Sequence, residues 1–231
     1  MEVGTRTRGL RRRNFLKAGG TAAGALIVGA GGVWVASGPR IELPEPSFPG
    51  TKATDNRVLV AYASKAGSTA EVAGAIGKRL ADTGLAVDVR RARNVRSVDG
   101  YAAVIVGSAI RAGQWLSEAV RFVKTHKEAL ATRKTAFFTL CMTLQQDTPE
   151  HRETVAAYLK PVREILEPDT IEFFAGKMDY RRLALAPRLI VKRMKVPEGD
   201  FRNWHAIGAW ADALCKQMKA RGVAAAAAVP A

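Results

Sequence analysis

The sequence predicts an α/β domain built on a doubly wound parallel sheet. Two observations carry that expectation. From residue 57 onward, short and almost wholly apolar runs alternate with segments whose apolar residues recur at helical spacing. The runs are apolar on both faces, as strands are when helices cover both sides of a parallel sheet. The chain of 231 residues is 48% hydrophobic and 25% charged, enough apolar material for one sizeable core.

The first strand is Val58-Leu59-Val60-Ala61-Tyr62, ended by Ser64 and Gly67. Residues 69–83 follow as a helix, because Val72, Ile76 and Leu80 share one face and Gly84 supplies a C-terminal stop. Residues 85–89 and 101–107 are the second and third strands. Leu116, Val120 and Val123 mark the next helix, and residues 135–141 the fourth strand. Pro149 can open a third helix at its first turn, with Val155, Tyr158, Leu159, Val162, Ile165 and Leu166 on its apolar face. Pro161 is expected to kink or split that helix, since it lacks the N–H a helix interior requires. Residues 170–175 are the fifth strand. Ile207, Trp210, Ala211, Leu214 and Met218 belong to a closing helix, before an Ala-rich tail at 220–231 read as disordered.

Charge and cysteine usage narrow the function. Thirty-six Lys and Arg against 21 Asp and Glu give a net charge of +15, which points to an anionic partner: lipid, nucleic acid, or a phosphate or polycarboxylate ligand. Nucleic acid is disfavoured, because no aromatic-basic platform or binding module accompanies the charge. Two cysteines exclude a disulfide scaffold, and three scattered histidines give zinc no ligand set, so no metal is expected.

The N-terminus reads as an address. Arg6, Arg8, Arg11, Arg12, Arg13 and Lys17 precede residues 18–39, which are uncharged and rich in Gly and Ala. Arg11-Arg12-Arg13-Asn14-Phe15-Leu16-Lys17 resembles a twin-arginine signal, with Arg11 where that signal has Ser or Thr. The uncharged stretch would measure about 33 Å as a helix, so an uncleaved anchor is an alternative to a cleaved signal. Residues 1–37 are accordingly read as a twin-arginine signal or membrane anchor, and 38–56 as a Pro-rich linker. The resemblance implies the twin-arginine translocase as a partner. It also implies export to a periplasmic or extracytoplasmic site, with anchoring in the inner membrane if the signal stays on.

In open α/β sheets the ligand sits outside the carboxyl ends of the strands. The first such loop is Ser64-Lys65-Ala66-Gly67-Ser68-Thr69. It offers three hydroxyls, a glycine and no acid before Glu71, and it leads straight into a helix N-terminus, so it suits a phosphate monoester. It lacks the Gly-Lys-[ST] of a P-loop and the GxGxxG of a dinucleotide fold. The loop resembles the flavodoxin phosphate loop [TS]-x-T-G-x-T, with Ala66 at the third position and Ser68 as a substitute hydroxyl. The resemblance covers residues 57–219. It implies a five-stranded sheet of order 2-1-3-4-5 with helices on both faces, and FMN as cofactor.

Two flavin-flanking loops come with that resemblance. The first holds Ser108, Ala109, Ile110, Arg111, Gly113 and Trp115; the second holds Thr139, Leu140, Cys141 and Met142. Arg111 is expected to offset negative charge on reduced flavin. Trp115 would either stack on the ring or pack at the start of the second helix. Cys141 reads as a small buried apolar residue in preference to a redox thiol.

Three further segments are similar to the quinone-dependent protoporphyrinogen dehydrogenases, FMN proteins with an insertion near the last strand. They are residues 107–113, Gly176-Lys177-Met178-Asp179-Tyr180-Arg181, and Ile190-Val191-Lys192-Arg193-Met194-Lys195. That likeness implies an FMN-dependent oxidoreductase passing electrons from a porphyrinogen to a quinone. The alternative is an exported flavodoxin-like electron carrier without its own small substrate, and a tethered binding module with a vacant flavin site ranks third. Haem synthesis in that family is cytoplasmic, which the export signal opposes. Within residues 181–195 six cations interleave with Leu, Ile, Val and Met. The stretch suits an anionic membrane surface, a carboxylate-bearing substrate, or plain solvation.

Overall fold

The structure, a computed structural model, describes residues 26–29, 32–35, 41–51 and 57–220. Residues up to Ser37 form a unit of their own, in which β1 (Leu26–Gly29) pairs antiparallel with β2 (Gly32–Val35). The paired arginines of the expected signal and the Ala-rich tail beyond residue 220 lie outside the described residues. Among those described, no helix is long and apolar enough to cross a membrane.

Gly38 onward forms the second unit, organised by a central sheet. Its strands are β3 (Ser47–Phe48), β4 (Arg57–Ala63), β5 (Val87–Arg91), β6 (Tyr101–Arg111), β7 (Gln114–Trp115), β8 (Lys134–Cys141) and β9 (Thr170–Ala175). The order β5-β4-β6-β8-β9 is the expected 2-1-3-4-5, and these five strands are parallel. Alternation along each strand divides the interior into two cores. Val58, Val60 and Tyr62 of β4 enter one core with α1 (Ser68–Ala81) and α6 (Trp204–Ala220). Leu59, Ala61 and Ala63 enter the other with α2 (Ser117–Thr125), α3 (Lys127–Ala131) and α4 (Pro149–Arg163). Helices therefore cover both faces, and the side-chain period of two sorts the residues between them. Cys141 lies in the second core and Cys215 in the first; both thiols are free and buried.

Four expectations are corrected. The second strand begins at Val87, two residues late, because the turn after α1 is longer than Gly84 alone. Helix α4 runs through Pro161, which falls in its last turn, where one lost hydrogen bond is tolerated. The third strand does not stop at Gly107. It continues to Arg111 and folds back on β7, with Ala112 (φ 50°) and Gly113 (φ 71°) making the reversal.

The fourth correction concerns the linker, part of which is built into the domain. β3 pairs antiparallel with β5 at the sheet edge, Tyr62 Oη donates to Pro44 O at 2.8 Å, and Glu45 accepts from Arg91 N at 2.5 Å. Burial pushes the Tyr62 hydroxyl up to about 12, with Glu45 adding to the effect. Asp88 anchors the same edge. Its buried carboxylate accepts from Ser47 Oγ (2.6 Å), Tyr101 Oη (2.9 Å) and Arg90 Nη2 (2.9 Å), and also from Arg57.

The last insertion, between β9 and α6, carries β10 (Lys177–Met178), α5 (Leu185–Arg193) and β11 (Gly199–Asp200), with β10 and β11 paired antiparallel.

Candidate cofactor site

Parallel register brings the strand ends together. Ala63 is opposite Ser108, Ser108 opposite Thr139, and Cys141 opposite Ala175, so the turns after β4, β6 and β8 share the carboxyl edge of the sheet. After β4 the chain turns at Ser64, whose Oγ accepts the Gly67 N–H at 3.0 Å. Gly67 has φ +92°, a left-handed value that a side chain would strain, and it serves as the N-cap of α1. The first N–H groups of α1 have no carbonyl a turn behind them and point out of the helix end.

Thr69 lies one residue inside α1 and is fully buried, and its Oγ1 has no hydrogen-bond partner. A buried hydroxyl left unpaired is costly, and a phosphate oxygen accepting from it would remove that cost. Ser68 is half-buried beside it. The residues present therefore fit a phosphate monoester. Lys65 is turned aside to Glu118 at 2.8 Å, and the Ala66 carbonyl accepts from Arg182.

The second expected loop is a hairpin. Ser108 is buried, accepts from Leu116 N at 3.0 Å and donates to Ala109 O, which ties the strand to the start of α2. Ala109 and Ile110 are half-buried, whereas Arg111 is exposed near the tip with Ala112 and Gly113 beyond it. Trp115 takes the packing alternative. It is buried, its Nε1 donates to Thr139 Oγ1 at 2.8 Å, and its ring centroid sits 4.9 Å from Phe137. The indole is thus removed from the candidate flavin contacts, and so is the Thr139 hydroxyl it occupies.

Leu140 and Cys141 are buried in opposite cores. Cys141 Sγ donates to Thr143 Oγ1 at 3.3 Å, which fits the packing role expected of it. Met142 is half-buried and opens a short 3-10 turn ending at Gln145. Gly107 has a packing role too. A Cβ there would lie 1.9 Å from Phe138 Cζ, so its bare backbone makes room for that ring.

The structure adds residues that sequence reading missed. Glu71, in the first turn of α1, accepts from Arg182 Nη1 at 2.8 Å and from Arg202 Nη1 at 2.7 Å. Burial alone would raise its pKa, but the two guanidinium hydrogen bonds prevail and hold it below the usual carboxylate range. Arg202 is itself buried and is held by Asp200 at 2.7 and 2.5 Å. Arg182 was expected to face a membrane surface, a carboxylate-bearing substrate or solvent; it is instead folded onto the phosphate loop. No local sequence signal could place either arginine, because 111 and 131 residues separate them from Glu71.

A concavity of about 450 Å³ lies within the insertion. Lys177, Arg181, Arg188 and Lys192 line it alongside Asp179, Glu198 and Asp200. Beside it α5 exposes Leu185 (57%), Leu189 (59%), Ile190 (60%) and Met194 (69%). Among the described residues no group of acidic, His and Cys side chains could hold a metal ion.

A doubly wound sheet whose first strand–helix turn is lined by hydroxyls and helix N–H groups has the build of a mononucleotide-binding protein. Residues 59–203, well over half the chain, match the family described as the flavodoxin domain, and the chain belongs to that family. It is 25% identical over 150 residues to the protoporphyrinogen IX dehydrogenase [quinone] of Escherichia coli K12, covering 62% of this chain and 82% of that one. The enzyme of the same name from Leishmania major is 25% identical over 165 residues, covering 65% and 71%. Among solved structures, a flavodoxin from the domain Archaea aligns at 17% identity with TM-score 0.42, over 71% of this chain and 99% of that one. The protein is a flavodoxin-type oxidoreductase, and its cofactor is FMN.

Proposed function

We propose that this oxidoreductase takes electrons from a porphyrinogen and passes them to a quinone. The observation that carries the reading is the insertion after β9. It carries a concavity lined by four cations and three carboxylates beside an exposed apolar helix face, and its Arg182 reaches the phosphate loop; an electron carrier without its own substrate requires neither the concavity nor the helix face. The likeness to the two protoporphyrinogen dehydrogenases supports the same reading.

FMN supplies the electron-transfer chemistry when bound. Thr69 Oγ1, Ser68 and the N–H groups opening α1 would hold its phosphate. Arg111, exposed at the hairpin end, would offset negative charge gained on reduction. Arg181, Arg188 and Lys192 would pair with the carboxylates of a tetrapyrrole, and the apolar face of α5 would meet the lipid in which a quinone dissolves.

The test is porphyrin fluorescence in anaerobic mixtures of holoprotein, protoporphyrinogen and a menaquinone analogue. The Arg188→Gln, Lys192→Gln double variant should raise KM for the tetrapyrrole about tenfold with kcat unchanged, as expected for losing charge-assisted contacts made equally in ground and transition states. Flavin-loaded protein that forms porphyrin no faster than buffer would reject the porphyrinogen reading. It would leave the exported electron carrier, the reading that a twin-arginine N-terminus would favour.

A further inference from the structure

Glu71 is an awkward residue for a phosphate site. A carboxylate in the first turn of α1 is favourable to the bare helix, but it repels a dianionic phosphate arriving at the same N-terminus. Two guanidinium groups from the far end of the chain answer it. Arg182 Nη1 takes one carboxylate oxygen at 2.8 Å and Arg202 Nη1 takes the other at 2.7 Å.

Both arginines also reach loop carbonyls. Arg182 donates to Ala66 O at 3.3 Å and Arg202 to Ser68 O at 3.4 Å. Arg182 fills the space that Gly67 leaves open, where a Cβ would stand 2.8 Å from its Nη1. The unpartnered Thr69 hydroxyl lies beneath the same loop as independent evidence of a ligand. We propose that Arg182 and Arg202 are positioning residues for the cofactor. They neutralise Glu71 and clasp the loop, which makes the insertion an integral part of the FMN phosphate site.

Cofactor binding and docking of the insertion are then linked, each strengthening the other. Arg202 is buried and doubly held by Asp200, so it sets the position of the pair; Arg182 is half-exposed and can be changed with less risk to folding.

The experiment titrates the purified full-length apoprotein with FMN and, separately, with riboflavin, following quenching of flavin fluorescence. Riboflavin lacks the phosphate, so its binding reports the ring site alone. Arg182→Gln should weaken FMN binding about tenfold and leave riboflavin within about twofold, while Arg182→Lys, which keeps the charge, stays near wild type. Adding Glu71→Gln to Arg182→Gln should restore FMN affinity, because the repelling carboxylate is gone. Equal losses for FMN and riboflavin would overturn the proposal in favour of a general structural role. An FMN-specific loss that Glu71→Gln fails to rescue would overturn neutralisation and make Arg182 a direct phosphate ligand. Unfolding temperatures of the apo variants, expected within a few degrees of wild type, separate either result from misfolding. Wild-type protein that binds riboflavin but gains nothing from the phosphate would refute the phosphate site itself.

Discussion

Asp88 shows how one residue can hold an edge. Its carboxylate is almost wholly buried on β5, a strand position at which a sequence reader expects an apolar side chain, and it is bridged to β3, β4 and β6 by Ser47, Arg57 and Tyr101. Burial would raise its pKa, but the hydrogen bonds from Ser47, Tyr101 and Arg57 outweigh it and hold the pKa below the usual carboxylate range. A depressed carboxyl stabilises the fold fully above its unfolded value, near 4, and loses that contribution as pH falls toward the folded value. Asp88→Asn should therefore cost about 2 kcal/mol at neutral pH, and the gap to wild type should shrink as pH falls below about 4. Thermal unfolding of both proteins across that range checks it; a gap independent of pH would show that the charge contributes nothing. At this scale the candidate site was half legible. Thr69 and Gly67 announce themselves by residue type and position before a helix. Glu71 and its arginines do not, because an ion pair closed across more than a hundred residues leaves no local pattern.

At the scale of the element, the five parallel strands were legible because apolar runs buried on both faces have few other uses. What escaped was the marginal structure. β3 and β7 are two-residue strands, too short for a period, and each exists only through the partner it pairs with. Helix α5 is a different case. Its apolar residues were visible, yet they do not enter the core: Leu189, Ile190 and Met194 are exposed among Arg188, Lys192, Arg193 and Lys195. We infer that this helix lies on an anionic bilayer surface, each cation near the headgroups contributing about 1 kcal/mol before screening. Changing Arg193 and Lys195, which lie outside the concavity, to Gln should weaken sedimentation of the protein with phosphatidylserine vesicles while leaving neutral vesicles unaffected. Undiminished pelleting of that double variant would reject this helix end as the docking element.

For the whole molecule, the proposed route is export of a folded, FMN-loaded domain, motivated by Arg12 and Arg13 ahead of an uncharged segment. Lys at both positions keeps the charge and removes the recognised pair. Fractionated cells should then hold the double variant in the cytoplasm, and normal delivery outside it would reject the twin-arginine assignment. The sorting of side chains between the two faces of the sheet bears on what awaits the domain there. Cys141 and Cys215, the chain's two cysteines, are buried in different cores with the sheet between them. Neither sulfur can reach the other without unfolding, and neither is offered to small-molecule oxidants. The folded domain can thus enter an oxidising compartment without forming an internal crosslink and without needing an isomerase to undo one.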